Sequence, residues 1–185
     1  MHRIGRAVWG RRHGSLNELE YEAFFRKDYP ALVRHLAILG CRDEAAKDVA
    51  QEAMVRLLEQ DGNVAHPRAW VRLTASRIAF DNNRRDIRRS QLSWQEANLP
   101  AAAPLGPAEQ SAHQSEARQV LELLQGLPPR QREVMAWHFD GFSAGEIATL
   151  LGVKPATVQS NLRHARERLR QAWKQRTHGG GGKTI

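Results

Sequence analysis

The segment from residue 92 to residue 112 divides this chain of 185 residues into two parts. It contains three Pro, six Ala and two Glu, but neither Lys nor Arg. Proline lacks a backbone donor and biases the preceding residue toward extended conformations, so the composition predicts a flexible linker rather than a helix. A folded part of roughly 70 residues buries only about 60% of the surface that its unfolded chain exposes. We therefore expect two small domains of simple helical construction.

Signals for helix starts and stops recur in the part before the linker. Ser15 to Glu18 has the pattern of a capping box, in which the Ser hydroxyl and the Glu carboxylate satisfy backbone amides at a helix start. Asp28 is expected to cap a second helix that stops at Gly40, because Gly readily adopts the left-handed conformation that follows many helices. Asp43 starts a third helix, and Pro67 takes the first position of a fourth, where its missing N–H costs nothing.

The part after the linker shows the same type of signal. A helix is expected from about His113 to Gly126, and Pro128-Pro129 opens the next one. Ser143 to Glu146 forms a second capping box, and Gly152 ends the short helix that follows. The long basic helix after this turn carries an apolar stripe at helical spacing, formed by Val158, Leu162, Ala165, Leu169 and Trp173. Since no segment alternates apolar and polar residues as a strand does, the predicted fold is all-α.

Positive charge is concentrated in three places. The chain carries 28 Lys+Arg against 20 Asp+Glu, and its pI is about 10.5. The cations cluster in residues 1–14, in Arg84 to Arg89 and in Lys154 to Arg176. A single basic patch is also typical of a solvated helix face, but three separate patches favour a long polyanion such as a nucleic acid as the partner.

Other classes of function find little support in the sequence. No apolar run is long enough to cross a membrane and no secretory signal is evident, so we expect a cytoplasmic protein without membrane insertion. Cys41 has no partner for a disulfide and no metal-site spacing is present, so neither a metal nor a cofactor is expected. Asp81 and Asp86 form no carboxylate cluster suited to phosphoryl transfer, and catalysis is not expected either.

The segment Phe142 to Arg170 has the outline of a helix-turn-helix. In such a unit the second helix enters the major groove and presents polar side chains to the base edges. Gln pairs bidentately with adenine and Arg with guanine, whereas Ser and Thr contact bases or phosphates. The side chains off the apolar stripe are Thr157, Gln159, Ser160, Arg163, His164 and Arg166. Helical hairpins also occur as packing units, so it is the basic face that favours DNA reading.

Two stretches resemble one protein family. The stretch LPPRQREVMAWHFDGFSAGEIATLLGVKPATVQSNLRHARERLRQAW resembles the promoter-reading domain of bacterial sigma factors of the extracytoplasmic-function (ECF) group. In the first part, DVAQEAMVRLLE followed by HPRAWVRLTASRIAFDNNRR resembles the core-binding and promoter-melting helices of that group. The similarity covers about residues 18–90 and 113–175, with the two matches in the expected order on either side of the linker.

The resemblance implies a separate role for each part of the chain. The expected parts are a basic extension (1–14), a domain that binds core RNA polymerase and opens the minus-ten element (15–91), the linker (92–112), a domain that reads the minus-35 element (113–176) and a disordered tail (177–185). The expected partners are promoter DNA, the β′ clamp helices and β flap of the polymerase core, and an anti-sigma factor. The residues implied to bind the β′ clamp helices are Asp48, Gln51 and Glu52.

The resemblance also assigns DNA contacts to both domains. Those implied at the minus-ten element are Asn63, His66, Arg68, Trp70, Arg72, Arg77, Arg84 and Arg85. Those implied at the minus-35 element are Arg130, Arg132, Lys154, Thr157, Gln159, Ser160, Arg163, His164 and Arg166. Trp70 suits stacking on an extruded base, although a core position is the favoured interpretation.

The chain departs from the family pattern in both DNA-reading segments. Trp70 to Arg77 reads WVRLTASR where relatives often read WLYRIARN, and Thr157 to Asn161 reads TVQSN where relatives usually read TVKSR. Two cations of the recognition helix have thus become amides, which favours hydrogen-bond readout over phosphate attraction. The alternative function is a helix-turn-helix regulator that acts without polymerase core, but such a protein has no need of the first domain.

Overall fold

The computed structural model describes residues 18–60, 64–93 and 112–179, with the side chains at 20–60, 64–83 and 116–176. Over these residues the chain forms helices and turns and no strand, so the all-α prediction is confirmed. The helices are α1 (Glu18–Leu39), α2 (Asp43–Leu58), α3 (Pro67–Ser93), α4 (Ala112–Gln125), α5 (Pro129–Phe139), α6 (Ala144–Leu151) and α7 (Pro155–Gly179). None of them is long and apolar enough to cross a membrane.

Several predicted parts fall wholly or partly outside the described residues. The basic extension (1–14), the Ser15 side of the first capping box and most of the linker (94–111) lie there. Of the predicted tail, residues 177–179 belong to α7, and residues 180–185 are not described.

The first helix corrects one prediction. The sequence pattern placed a helix start at Asp28, but α1 runs without interruption from Glu18 to Leu39 and contains Pro30 in its interior. Asp28 is only 4% exposed, and its carboxylate accepts hydrogen bonds from the side chains of Arg68 and Arg72 instead of capping backbone amides. Asp28 therefore pairs with arginines of α3 and does not cap a helix. The predicted stop at Gly40 is confirmed, with φ of +103°.

A first apolar core holds α1, α2 and α3 together. Leu32 and Leu36 of α1 meet the alanine-rich inner face of α2 and the apolar face of α3. The small side chains of Ala46, Ala50 and Ala53 allow the helices to approach closely. The other buried members are Val49, Met54, Leu57, Val71, Ala75 and Ile78.

A second core forms among α4, α5, α6 and α7 around Trp137, which is 1% exposed. Its other buried members are Leu124, Leu127, Val134, Met135, Ala136, Ile147, Ala148, Val158, Leu162 and Ala165, together with Ile38 from α1. Because Ile38 belongs to the first part of the chain, the two cores are joined through the C-terminal end of α1.

The two halves of the chain pack directly against each other. Helix α1 lies against both α4 and α5, and Leu73 of α3 packs on the second core. The last turn of α1 also receives side-chain donors from the second half. Gln125 Nε2 donates to the carbonyl oxygen of Ala37 at 2.8 Å, and Arg132 Nη1 donates to that of Leu39 at 3.4 Å. These bonds satisfy carbonyl groups that a helix end leaves without intrahelical partners.

Candidate nucleic-acid and polymerase interfaces

Local signals build the helix-turn-helix. The Ser143 hydroxyl accepts from the Glu146 amide at 3.3 Å, and the Ser143 amide donates to the Glu146 carboxylate at 2.8 Å, which confirms the second capping box. The hydrogen bonds from Ser143 lower the pKa of Glu146. Gly152 ends α6 in the left-handed conformation with φ of +66°, which a residue with a Cβ adopts at a cost. The capping box and Gly152 together fix the geometry of the turn and therefore the direction of α7.

Helix α7 presents one buried face and one polar face. Val158, Leu162 and Ala165 are buried against the second core, as their spacing predicted. The predicted base-reading side chains are all exposed: Thr157, Gln159, Ser160, Arg163, His164 and Arg166. The side chain of Asn161 donates from Nδ2 to the carbonyl oxygen of Thr157 at 2.8 Å, so its amide is engaged within the helix. The arrangement gives a row of amide, hydroxyl and cationic groups of the type that reads base edges.

The flanking cations have different environments. Lys154 is exposed just before α7, and Arg166 Nη2 donates to Nε2 of His138 at 2.9 Å. At the start of α5, Arg130 is exposed and pairs with Glu133 at 3.1 Å. Arg132 instead points toward α1, and its Nε is buried without a hydrogen-bond partner. Arg130 is therefore open to a phosphate, whereas Arg132 belongs to the contact between the halves.

The predicted polymerase-binding residues share the outer face of α2. Asp48, Gln51 and Glu52 are all exposed, on the side opposite the buried alanines. Two apolar side chains continue this face, Val55 at 45% and Leu58 at 58% exposure. Polar groups beside exposed apolar side chains are typical of a protein-binding surface.

The residues predicted to contact the minus-ten element separate into groups. Asn63 and the side chains of Arg84 and Arg85 lie outside the described residues. Arg77 is exposed, whereas His66 is half-buried. Trp70 is also half-buried and packs against the first core, which agrees with the interpretation that favoured a core position.

Arg72 occupies a position that the sequence did not predict. Its side chain is 0% exposed. Its Nε donates to Asp140 Oδ2 at 2.6 Å, and its Nη1 and Nη2 donate to Asp28 at 2.6 and 3.3 Å. An arginine whose whole guanidinium is buried against two carboxylates cannot contact DNA in this arrangement. The predicted minus-ten contact of Arg72 is therefore incompatible with the described conformation.

Arg68 participates in the same cluster from its rim. Its side chain is 54% exposed, yet Nε donates to Asp28 at 3.2 Å and Nη2 donates to the carbonyl oxygen of Asp140 at 2.7 Å. The guanidinium carbon also lies 5.5 Å from the ring centroid of Phe142, within reach of a cation–π contact. Part of Arg68 remains accessible to a phosphate.

Asp140 is the centre of this cluster. His35 Nδ1 donates to its Oδ2 at 2.7 Å and Arg34 Nη2 donates to its Oδ1 at 3.2 Å. Burial raises the pKa of Asp140, but the hydrogen bonds from His35 and Arg72 and their charges outweigh it and bring the pKa to about 2. Burial likewise opposes the charge of Arg72, and its bonds to Asp140 and Asp28 nevertheless raise its pKa. Both groups are therefore charged at neutral pH.

Aromatic rings enclose the cluster. Trp137 meets the edge of His35 at a centroid distance of 5.2 Å and that of Phe142 at 5.0 Å. The guanidinium of Arg72 lies 5.9 Å from the Phe142 ring. These rings exclude water and so strengthen the ionic contacts that they surround.

Sequence reasoning overlooked the roles of three of these residues. Asp28 and His35 lie on the same side of α1 as Leu32 and Leu36, at helical spacing, and this periodicity places a charge and an imidazole within the apolar stripe. Polar groups on a buried stripe require partners, so this signal was available. Asp140 gave no comparable signal, because it reads as the first residue of an Asp-Gly turn.

The described residues contain no cluster of His, Cys, Asp and Glu that could hold a metal ion. Cys41 is half-buried at the end of α1, and burial raises the pKa of its thiol. A thiol with a raised pKa is less reactive than a free one.

Comparisons with known proteins agree with this geometry. Residues 117–169 match the family model described as Sigma-70, region 4, and this range covers most of α4, all of α5 and α6, and the first part of α7. The probable RNA polymerase sigma factor RfaY of Xanthomonas campestris is 33% identical over 153 residues, which are 78% of this chain and 38% of that protein. The RNA polymerase sigma-E factor of Streptomyces avermitilis is 29% identical over 169 residues, 86% of this chain and 87% of that protein.

A solved structure shares the fold. The sigma factor RpoE of Bartonella quintana, determined in complex with the anti-sigma factor NepR, superposes with a TM-score of 0.68 at 20% identity. The match covers 84% of this chain and 97% of that one. The helix-turn-helix thus lies within the segment that matches sigma-70 region 4, and the overall fold is similar to that of the solved sigma factor. The chain is similar to the ECF group of RNA polymerase sigma factors, a name that further relatives carry.

Proposed function

We propose that this protein is a dissociable promoter-specificity subunit that binds core RNA polymerase and directs initiation at promoters with minus-35 and minus-ten elements. The observation that carries this proposal is the exposed row of polar side chains on α7, set by the capped turn of a helix-turn-helix that matches sigma region 4. The relatives named as RNA polymerase sigma factors support the same activity for the whole chain.

The two promoter elements are assigned to different helices. Gln159, Ser160 and Arg163 of α7 are the base-reading candidates for the minus-35 element, and Arg130 and Lys154 supply phosphate contacts. Arg77 and the exposed part of Arg68 on α3 are the candidates for the minus-ten strand. Nucleic-acid affinity built on such cations falls steeply with salt.

The outer face of α2 is the candidate for polymerase binding. The carboxylates of Asp48 and Glu52 flank the amide of Gln51, and this combination suits charge-assisted bonds to an arginine-rich partner helix. The exposed Val55 and Leu58 would add apolar area to the same contact. The β flap of the polymerase is the expected contact of the second half.

An anti-sigma factor is the expected regulator. The sigma factor RpoE of Bartonella quintana was solved in complex with the anti-sigma factor NepR, and CnrH, a protein of similar fold, was solved with the cytosolic domain of CnrY. The proposed role has no covalent step, and it places the protein with the polymerase in the bacterial cytoplasm.

Run-off transcription with purified core polymerase tests the proposal. The template carries the upstream region of this protein's own gene. The wild type is expected to bind core and direct a defined transcript, and the double variant Gln51→Ala/Glu52→Ala is expected to lose most of the core binding. The matched control Glu59→Ala/Gln60→Ala removes the same two residue types from the exposed turn that follows α2 and is expected to behave as the wild type.

Two results would contradict different parts of the proposal. Failure of the wild type to bind core while it binds duplex DNA alone would favour a regulator that acts without polymerase. Equal core binding by the two double variants would remove the assignment of the α2 face but leave the activity intact.

A further inference from the structure

A cavity of about 810 Å³ lies beside the last turn of α1, where α2, α3 and α5 come together. Its walls come from the first turn of α2, the middle of α3 and the first turn of α5. Pockets that hold small molecules commonly have volumes of about 300 to 1,000 Å³. The cavity is therefore large enough for a small organic ligand.

Positive charge exceeds negative charge in the lining of this cavity. The charged lining residues are Arg42, Arg130, Arg132 and Glu133. Glu133 pairs with Arg130 at 3.1 Å, so its carboxylate offsets that arginine. Within the part of the chain that the structure describes, neither Arg42 nor Arg132 forms an ion pair. Two guanidinium groups of the lining thus lack a counter-ion.

Arg132 has fewer hydrogen-bond partners than its burial requires. Its Nε is buried without an acceptor, and its Nη1 donates to the carbonyl oxygen of Leu39 over a long 3.4 Å. The guanidinium can lie there because residue 40 is Gly, since a Cβ on Gly40 would be 3.0 Å from Arg132 Nη1. Removing a charged group from water is costly unless an opposite charge compensates for it. An anionic ligand in the cavity would supply that charge.

The start of α5 adds to the positive potential. Pro129, the first residue of α5, lines the cavity, and the N-cap residue Pro128 makes no side-chain hydrogen bond to the first turn. The N-terminal end of a helix carries a partial positive charge and backbone N–H groups without intrahelical partners. Together with the arginines, this helix end makes a phosphate the most suitable anion.

The wall formed by α3 suits a planar ring. Phe80 lines the cavity with a side chain that is 62% exposed, and Asn82 and Asn83 line the same wall. Aromatic rings stack on nucleobases, and amide side chains form hydrogen bonds with the edges of the bases. The cavity thus combines cationic walls from α2 and α5 with an aromatic and amide wall from α3.

We propose that this cavity binds a nucleoside phosphate, with the phosphate held by Arg42 and Arg132 and the base lying against Phe80. The cavity includes neither the base-reading residues of α7 nor the polymerase-binding residues of α2. The site therefore goes beyond the proposed function and does not depend on it.

Isothermal titration calorimetry on the full chain tests the site. The ligands are ADP, GDP, CDP, UDP and pyrophosphate, each at up to about 1 mM, in about 0.15 M salt that screens non-specific attraction. At least one nucleotide is expected to bind with one molecule per chain. It is expected to bind about 10-fold more tightly than pyrophosphate, because a stacked base adds to the affinity.

Arg132→Gln removes the charge of the arginine without a counter-ion. The variant is expected to bind the same nucleotide about 10-fold more weakly than the wild type, since hydrogen bonds to charged groups are among the stronger ones. The matched control is Arg26→Gln, the same replacement at an exposed position of α1 that does not line the cavity. The control is expected to bind as the wild type does.

A second pair of variants leaves every arginine in place. Ala45 is exposed and lines the cavity from the first turn of α2, whereas the neighbouring acids Asp43 and Glu44 do not line it. Ala45→Glu adds a carboxylate that competes with the phosphate, and Ala45→Gln adds the same bulk without the charge. The Glu variant is expected to bind about 10-fold more weakly than the Gln variant. This pair decides the question if circular dichroism shows that Arg132→Gln does not fold.

Several results would overturn the proposal. Absence of binding by all four nucleotides would remove the site, and pyrophosphate binding as tight as nucleotide binding would remove the assignment of a nucleoside. Several molecules per chain, or equal losses in Arg132→Gln and Arg26→Gln, would show general attraction to a basic protein. Equal affinities of the two Ala45 variants would place the phosphate elsewhere. Because neither polymerase nor promoter is present, failure of binding would leave the proposed function intact, and absent transcription would leave the site standing.

Discussion

The stability of this protein should depend on pH through Asp140. The pKa of its carboxyl falls from the ordinary 3.8 to about 2 in the folded state. A depressed pKa means that the folded protein favours the ionised form, so the stabilisation is complete above about pH 4 and is lost as the pH falls from 4 toward 2. At about 1.4 kcal/mol per pKa unit, the ionised carboxylate contributes about 2 kcal/mol to the free energy of unfolding at neutral pH.

Asp140→Asn isolates this contribution, because every other carboxyl is kept. We expect the variant to be less stable than the wild type by about 2 kcal/mol at pH 7, from the loss of the charge alone. The difference should shrink below pH 4, because the Asp140 carboxyl becomes protonated in the unfolded chain there, and in the folded protein only near pH 2. Urea unfolding followed by circular dichroism at pH 7, 5, 4 and 3 measures both proteins.

The control is Glu167→Gln, which removes an exposed acid of α7 that pairs with Arg170 at the surface. Exposed pairs of this kind contribute at most about 1 kcal/mol. A difference between the wild type and Asp140→Asn that stays constant from pH 7 to pH 3 would refute the reasoning, since it would show that the Asp140 charge is not engaged in the folded state.

Three further predictions follow from the second half of the chain. Ser143→Ala removes the side-chain cap of α6 and should lower the free energy of unfolding by about 1 kcal/mol, measured by urea unfolding, with the exposed Ser160→Ala unchanged. Gly152→Ala places a Cβ at φ of +66° and should destabilise by roughly 1 kcal/mol in the same assay, although nothing lies within 4 Å of that Cβ. Arg163→Ala should weaken binding to a minus-35 duplex, measured by fluorescence anisotropy over a salt series. A less steep salt dependence would indicate that Arg163 contacts a phosphate, whereas a loss that varies with the base sequence would indicate base reading. Unaltered affinity would show that Arg163 does not contact the DNA.

The helix-turn-helix could be predicted from the sequence because its determinants are local. Ser143 and Glu146 satisfy each other's backbone groups across three residues, and Gly152 needs no partner to end the helix. The alternation of buried Val158 and Leu162 with exposed Gln159 and Arg163 likewise follows from helical periodicity. Such features depend on neighbours within one or two turns, so a single sequence is enough to find them.

The contact between the halves could not be predicted in this way. Asp28 satisfies every local criterion for a helix cap, but Arg72, 44 residues away, binds its carboxylate and lets α1 continue through it. The pairing of Arg72 with Asp140 spans 68 residues and crosses the predicted linker. Long-range ionic pairs have no periodicity of their own, and a buried arginine reads the same in the sequence as an arginine that faces DNA.

The contact between the halves combines a buried ionic cluster with apolar packing. A buried ion pair adds little net stability, since the cost of removing both groups from water offsets most of the attraction between them. Arg72 pairs with Asp28 in its own half of the chain and with Asp140 in the other half. The ionic cluster of Asp28, His35, Arg72 and Asp140 therefore specifies which side chains meet at the contact, whereas the apolar packing of Ile38 and Leu73 supplies more of its stability.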